Sequence, residues 1–291
     1  MEFNSPDAFL AHVLWTFRSY LDRMVLVGGF AVRLYELHPR AAPTAFRMLR
    51  TFDADLAVST GPIPLAGQSL ASLAEAAGLQ PDFRGDHVPP VMKFVSKGTL
   101  GGPSGINQYT VEFLTPMTGA SIRRGGKAVV TSDIQAGVTA QHLRYLDLLL
   151  ERPWHVPLVA LPGIPEEART IEVALPHPGF FIVQKILISE ELHRHDKRPK
   201  DMAYIYQVVS LFRRELPALA DDVRVQMSGN PVWRRWMARF RRLTDSLFGG
   251  PTAPGVTEAY TVLRAEMTGT GLDVPTPEMI YAGVSLFLRY F

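Results

Sequence analysis

Residues 24–56 read MVLVGGFAVRLYELHPRAAPTAFRMLRTFDADL, and this stretch decides the fold of the chain. Its first apolar run ends at Gly28-Gly29, and helical spacing resumes over residues 30–37, which predicts a strand, a glycine turn and a helix. The N-terminus of a helix presents free N–H groups and a partial positive charge to an anion. Because glycine has no Cβ, it lets an anion approach the backbone closely. The turn is therefore a candidate phosphate-binding element.

The end of this stretch, residues 52–58, alternates between an apolar face and a face that carries Asp53 and Asp55. Residues two apart on a strand point the same way and lie about 6.6 to 7 Å apart. Such a pair can face two metal ions, which lie about 3.5 to 4 Å apart in two-metal sites. A third carboxylate would come from a neighbouring strand, and Glu112 in QYTVEFL (108–114) is the candidate. Taken singly, a Gly-Gly turn is most often a tight connection and an Asp-x-Asp strand a solvated face.

The composition is that of an ordinary globular protein, with 291 residues, 47% hydrophobic and 20% charged, and a net charge of +2. The chain has no cysteine, which excludes disulfides, Cys-ligated zinc and thiol catalysis. No apolar run approaches the roughly 18 to 20 residues of a membrane span. The first residues lack the basic region and cleavage site of a signal peptide. We therefore expect a cytoplasmic protein without membrane contact.

Periodicity predicts an α/β (α+β) fold with two parts, an N-terminal α/β domain over residues 1–165, which carries the motifs above, and a helical domain over residues 166–291. A hairpin is expected where the Gly- and Ser-rich loop GTLGGPSGIN joins two strands. The predicted helices are 6–23, 30–37, 65–77, 140–150, one from 178, 199–214, 231–247, 256–267 and 277–289. The predicted strands are 24–27, 52–58, 91–95, 108–114, 128–130, 156–161 and 170–175.

In this order, the motifs resemble the polymerase-β-like nucleotidyltransferase superfamily. Within it they resemble the branch of AbiEii-like toxins of type IV toxin–antitoxin systems and the related MenT-like toxins. Those proteins carry a hydrophobic strand ending in Gly-Gly or Gly-Ser, matched by residues 25–31, and an Arg-x-x-Asp-x-Asp strand, matched by residues 50–56. A lysine on a later helix and a Lys-Asp pair follow, matched by Lys185 and Lys200-Asp201. The superfamily usually has Asp where this chain has Glu112.

The resemblance implies a nucleotidyltransferase-fold mixed sheet with flanking helices, followed by a mainly helical domain that contributes two site residues. It implies these roles: Gly28 and Gly29 contact the triphosphate, Asp53, Asp55 and Glu112 bind Mg²⁺ or Mn²⁺, Lys185 offsets phosphate charge, and Asp201 orients Lys185 or a nucleotide group. Arg33 and Arg50 are further candidates for phosphate contact, with surface salt bridges as the other interpretation. For Lys185 the other interpretation is a buried stem with its charged end in water.

The leading hypothesis is a Mg²⁺-dependent nucleotidyltransferase that moves a nucleoside monophosphate from an NTP to an acceptor. The resemblance implies tRNA or another RNA as acceptor, a toxin role and an antitoxin protein as partner. Transfer to a protein or small molecule is one alternative, and a non-catalytic nucleotide- or RNA-binding module is another. Because a decayed site usually loses a metal ligand first, the presence of both Asp53 and Asp55 argues against the non-catalytic module.

Residues 232–243, VWRRWMARFRRL, place apolar and aromatic residues on one helical stripe and arginines on the remaining surface. Such a basic face suits an RNA backbone, although a buried stripe with solvated arginines is the commoner case. His177, His193 and His195 do not form a zinc site by their spacing, since residues two apart on a helix do not share a face.

Overall fold

A computed structural model describes residues 3, 5–85, 89–96, 108–117, 130–158, 166, 171–191 and 197–291. The glycine- and serine-rich loop at 98–107, together with His193 and His195, lies outside the described residues. The chain forms two compact units, one of residues 1–31 and 50–176 and the other of residues 32–49 and 177–291. The predicted division into a catalytic and a helical domain after residue 165 stays a prediction, and the last chain boundary between the compact units follows Pro176.

A seven-stranded mixed sheet forms the centre of the first unit. Its main path runs in the order β1-β2-β5-β4-β3, β7 also pairs with β5, and β6 pairs with β7. The β2–β5 and β5–β7 pairs are parallel and the other pairs are antiparallel. A separate antiparallel pair is formed by β8 and β9. The strands are β1 (Met24–Val27), β2 (Asp53–Val58), β3 (Leu79–Arg84), β4 (Val91–Ser96), β5 (Thr110–Pro116), β6 (Thr131–Gln135), β7 (Val138–Leu143), β8 (Trp154–Pro157) and β9 (Glu172–Leu175).

Short helices accompany this sheet. The Ser5 side chain accepts a hydrogen bond from the Ala8 N–H and so caps the first of them. Gly78, with φ +77°, follows the helix over Leu70–Ala76, and its left-handed conformation suits a helix end. The helices are α1 (Pro6–Thr16), a 3₁₀ helix (Arg18–Arg23), α2 (Gly28–Tyr35), α3 (Leu70–Ala76) and α4 (Asp147–Leu150).

One face of the sheet carries an aromatic core. Phe113 of β5 makes edge contacts with Phe17 and with Phe94 of β4, and Phe9 of α1 stacks on Tyr109 with ring centroids 4.5 Å apart. These side chains are buried, as are the alternate residues of β2 that point the same way. Burial of this face fixes the register, so the odd-numbered residues of β2 are held on the opposite face.

The second unit is helical. Every residue of α5 is buried, which suits a helix surrounded by others. Gln207 of α6 binds the segment that leads to β2: its side-chain amide donates to the Arg47 carbonyl and accepts from the Leu49 N–H. The helices are α5 (Pro178–Ile188), α6 (Arg198–Leu211), α7 (Leu216–Gly229), α8 (Pro231–Phe248), α9 (Pro254–Met267) and α10 (Pro277–Leu288).

The predicted fold class is confirmed: a mixed sheet with flanking helices precedes a helical region. The helix expected over 140–150 is wrong, because residues 138–143 form β7 and only Asp147–Leu150 is helical. Gly137, with φ +77°, turns the chain so that β7 pairs with β6 and β5, and these ladders override the helical propensity of the segment. Residues 128 and 129 of the strand expected at 128–130 lie outside the described residues, and the strand β6 begins at Thr131.

Two elements were not expected from the sequence. The strand β3 follows α3 directly and pairs with β4 along six residue pairs. The helix α7 begins at Leu216, shortly after α6, and its five buried residues follow helical spacing along one side. In the part of the chain that the structure describes, no helix has the length and apolar character needed to cross a membrane.

Candidate active site

The glycine turn, whose residues Gly28 and Gly29 open α2 directly after β1, lies beside one of the predicted carboxylates. Gly28 has φ +70°, a conformation that side chains other than glycine rarely adopt. A Cβ at Gly28 would lie 2.3 Å from Oδ2 of Asp55. Val27 pairs with Asp55 across the β1–β2 ladder, which brings the turn and the carboxylate together. A side chain at this position would therefore be strained by the backbone conformation and would displace the Asp55 carboxylate.

Asp53 and Asp55 share one face of β2. Both are half-buried, whereas Ala54 and Leu56 between and beyond them are fully buried. The Thr110 hydroxyl donates a hydrogen bond of 2.6 Å to Oδ1 of Asp53. In the parallel β2–β5 ladder, Asp53 is opposite Thr110. The neighbouring strand thus fixes the orientation of this carboxylate.

Glu112 lies on the same face but has a cationic partner. It is opposite Asp55 in the β2–β5 ladder. Its Oε1 forms an ion pair with the Nζ of Lys93 on β4, and the Lys93 and Glu112 side chains are 18% and 10% exposed. Sequence reasoning missed Lys93, although its place in the alternating strand 91–96 puts it on the half-buried side.

Two of these carboxylates fit the predicted metal ion better than all three do. Asp53 and Asp55 suit one Mg²⁺ or Mn²⁺ ion, because Mg²⁺ in proteins is often held by one or two carboxylates together with substrate phosphates. A site in which all three carboxylates bind metal fits less well, since Glu112 already forms an ion pair with Lys93. Among the residues that the structure describes, no group of three or more histidines or carboxylates is placed to hold a metal ion.

Lys185 and Asp201 form a buried pair within the second unit. The Nζ of Lys185 donates to Oδ1 of Asp201 over 2.6 Å, with side chains that are 9% and 7% exposed. The ammonium also lies 5.5 Å from the ring centroid of Phe181, one helical turn earlier. The structure therefore brings these two predicted residues together, and the Lys185 ammonium is not at the solvent.

The two candidate arginines differ in setting. Arg33 of α2 forms an ion pair with Glu36, the residue that follows this helix. Arg50 is exposed and precedes β2 by three residues. Their predicted contact with phosphate stays a prediction.

A cavity of about 460 Å³ lies elsewhere in the first unit. It is at the Met24 end of β1, while the glycine turn and the carboxylate pair are at the Val27 end. None of the predicted site residues lines it; its charged and polar walls include Arg18, Asp22, Arg23, His155 and Glu172. We place the site on the face of β2 that carries Asp53 and Asp55, which we call the carboxylate face. Binding of a metal ion needs the carboxylates, and binding of phosphate needs the helix N-terminus.

Comparison with known protein families agrees with this geometry. A family model described as Nucleotidyltransferase matches residues 10–228, which is well over half of the chain. The chain belongs to the nucleotidyltransferase family. The matched region of this nucleotidyltransferase contains the glycine turn, the carboxylate face and the Lys185–Asp201 pair.

Family membership makes the protein a transferase of nucleoside monophosphates and confirms the expectation of a nucleotidyltransferase superfamily. The narrower resemblance to AbiEii-like and MenT-like toxins stays a prediction. No curated protein matches the nucleotidyltransferase.

Proposed function

We propose that the protein transfers a nucleoside monophosphate from an NTP to an acceptor on the sheet face that carries Asp53 and Asp55. The observation that supports this proposal is the close approach of Gly28 and Asp55, because it sets the N-terminus of a helix beside a carboxylate. Phosphate and divalent ion can then be bound side by side. The acceptor oxygen forms a bond to the α-phosphorus of the NTP. The bond between the α-phosphorus and the oxygen that bridges it to the β-phosphorus breaks, and pyrophosphate leaves.

The residues of the chain divide this work. The backbone N–H groups at the start of α2 bind phosphate, and Gly28 keeps side-chain atoms out of that space. Asp53 and Asp55 hold Mg²⁺ or Mn²⁺, and Thr110 orients Asp53. When bound, the ion offsets triphosphate charge and favours departure of pyrophosphate. The roles of Lys185, Asp201, Arg33 and Arg50 rest on the resemblance and stay predictions.

For the acceptor we infer RNA, because α8 offers a basic surface. Trp233, Phe240 and Leu243 of its stripe are buried, and four of the five arginines of α8 are exposed. Two of them, Arg239 and Arg242, pair with Glu190 at 2.7 and 3.6 Å. Within the described residues, no carboxylate pairs with the exposed Arg234, Arg235 and Arg241. The toxin role, the antitoxin partner and the cytoplasmic location stay predictions from the resemblance and the composition.

The RNA proposal is tested by the salt dependence of binding. Replacing Arg234, Arg235 and Arg241 by Gln removes three phosphate contacts and lowers the slope of log affinity against log salt by about 2 for single strands. Unfolding stability stays unchanged, since the three side chains are exposed. An unchanged slope excludes α8 as the RNA surface. The matched control changes three exposed arginines with local partners: Arg213, Arg224 and Arg264.

The transferase proposal is tested by incubating the protein with each α-labelled NTP, Mg²⁺ and total RNA or lysate. The label is expected to move to an acceptor, to be absent with γ-labelled NTP, and to be lost in Asp55→Asn. Label on a protein or small molecule instead of RNA keeps the transferase and changes the acceptor. No transfer, with NTP binding equal in wild type and Asp55→Asn, identifies a non-catalytic binding module.

A further inference from the structure

Three charged side chains follow one another across three neighbouring strands. Asp55 of β2 is opposite Glu112 of β5 in the parallel ladder. The antiparallel β4–β5 ladder pairs Phe94 with Val111, and one step further along it Lys93 meets Glu112. The ion pair between Lys93 and Glu112 confirms that both point to the same face. The charges on this face therefore run negative, negative, positive.

The length of the Glu112 side chain explains how this pair forms. Neighbouring strands lie about 4.7 to 4.9 Å apart. Compared with aspartate, glutamate has one more methylene, which extends its carboxylate toward the lysine on the next strand. A second divalent ion bound by Glu112 would have to displace the Lys93 ammonium. The Lys93 and Glu112 side chains are only 18% and 10% exposed. Displacing the ammonium is therefore unfavourable, because water there compensates poorly for the lost carboxylate.

We propose that Lys93 takes the place of a second metal ion, so that Glu112 serves as its counter-ion and the NTP site holds one divalent ion, on Asp53 and Asp55. This inference rests on the proposed function. Lys93 is a positioning residue: it acts through Glu112 and keeps that carboxylate away from the metal. The superfamily resemblance implied Glu112 as a third metal ligand, and the ion pair assigns it a different task.

The test counts ions, because a purely structural ion pair would leave the count unchanged. The full chain is dialysed to equilibrium with Mn²⁺ and each of the four α,β-imido NTPs, and the retained metal and nucleotide are measured per chain. Wild type retains one Mn²⁺ with one nucleotide. Lys93→Met frees Glu112 and raises the count to two, while Lys93→Arg retains one. The control Arg84→Gln removes a cation paired with Asp82 on the adjacent β3, and its count stays at one.

Every other ion count either supports or overturns the inference, and the counts separate it from the proposed function. Two ions in wild type, or one ion in a folded Lys93→Met, overturns the inference and leaves the proposed function standing. No retained Mn²⁺ with any nucleotide overturns both. If Lys93→Met does not fold, wild type and Glu112→Gln are compared: the same single ion in both supports the inference, and the loss of an ion in Glu112→Gln overturns it.

Discussion

Replacing Gly28 by alanine is the perturbation that the site geometry makes most informative. The residue has φ +70°, and an added Cβ would lie 2.3 Å from Oδ2 of Asp55, where ordinary contacts begin at 3.4 Å. Two separate costs arise. One is the left-handed backbone conformation of the alanine. The other is displacement of the Asp55 carboxylate by about 1 Å, a misplacement large enough to matter for catalysis.

The two costs have different magnitudes and different readouts. The left-handed conformation destabilises the fold by about 1 to 2 kcal/mol. A shift of a catalytic group by 1 Å can lower the rate by about 100-fold. We therefore expect Gly28→Ala to lose a modest part of its stability and nearly all of its transfer of label from α-labelled NTP.

Gly78→Ala separates the two costs. Gly78 has φ +77°, and nothing lies within 4 Å of its built Cβ. This variant therefore carries the conformational cost without the collision. Chemical denaturation of both variants is expected to show similar losses of unfolding free energy, while label transfer falls only in Gly28→Ala.

A specific result would refute this reasoning. If Gly28→Ala and Gly78→Ala retain the same transfer activity at the same stability, the contact between the glycine turn and Asp55 has no part in the reaction. A loss of activity in both variants alike would assign the effect to stability rather than to the site.

Three further perturbations test other parts of the structure. Thr110→Val removes the 2.6 Å hydrogen bond to Asp53, and a titration of Mn²⁺ binding is expected to show about 10- to 100-fold weaker affinity; unchanged affinity would exclude this orienting role. Lys185→Met leaves Asp201 buried without its cation, so denaturation should show a loss of about 3 to 5 kcal/mol, and the double variant Lys185→Met/Asp201→Asn should lose less; equal losses would contradict a coupled pair. Burial lowers the pKa of His142 from its ordinary 6.5, so the folded state favours the neutral ring. The unfolding free energy should then be full above pH 6.5 and fall as the pH drops below it, with a shallower fall in His142→Gln; the same fall in both proteins would rule out His142 as its source.

Much of the site could be predicted from the sequence because its signals are local. The alternation in residues 52–58 places Asp53 and Asp55 on one face whatever the partners of the strand, and the apolar run before Gly28-Gly29 fixes the turn. The burial of Lys185 also follows from its apolar neighbours on α5.

The parts that could not be predicted depend on contacts between distant residues. The ion pair of Lys93 with Glu112 joins residues 19 apart, and it requires the register of β4 against β5. Register depends on turn geometry as well as loop length, and the intervening glycine-rich sequence does not specify the turn geometry. For residues 138–143, helix-favouring residues such as Ala140 and Gln141 hid a strand that its pairing with β5 and β6 determines.

The central claim, that the carboxylate face of β2 holds a metal-bound NTP, is tested most directly by anomalous diffraction at the manganese edge. Crystals would contain Mn²⁺ and an α,β-imido NTP. We predict a manganese peak ligated by Asp53 and Asp55, with the triphosphate against the N–H groups at Gly28-Gly29. Nucleotide bound instead in the 460 Å³ cavity at the other end of β1, with no manganese at the two aspartates, would contradict the claim.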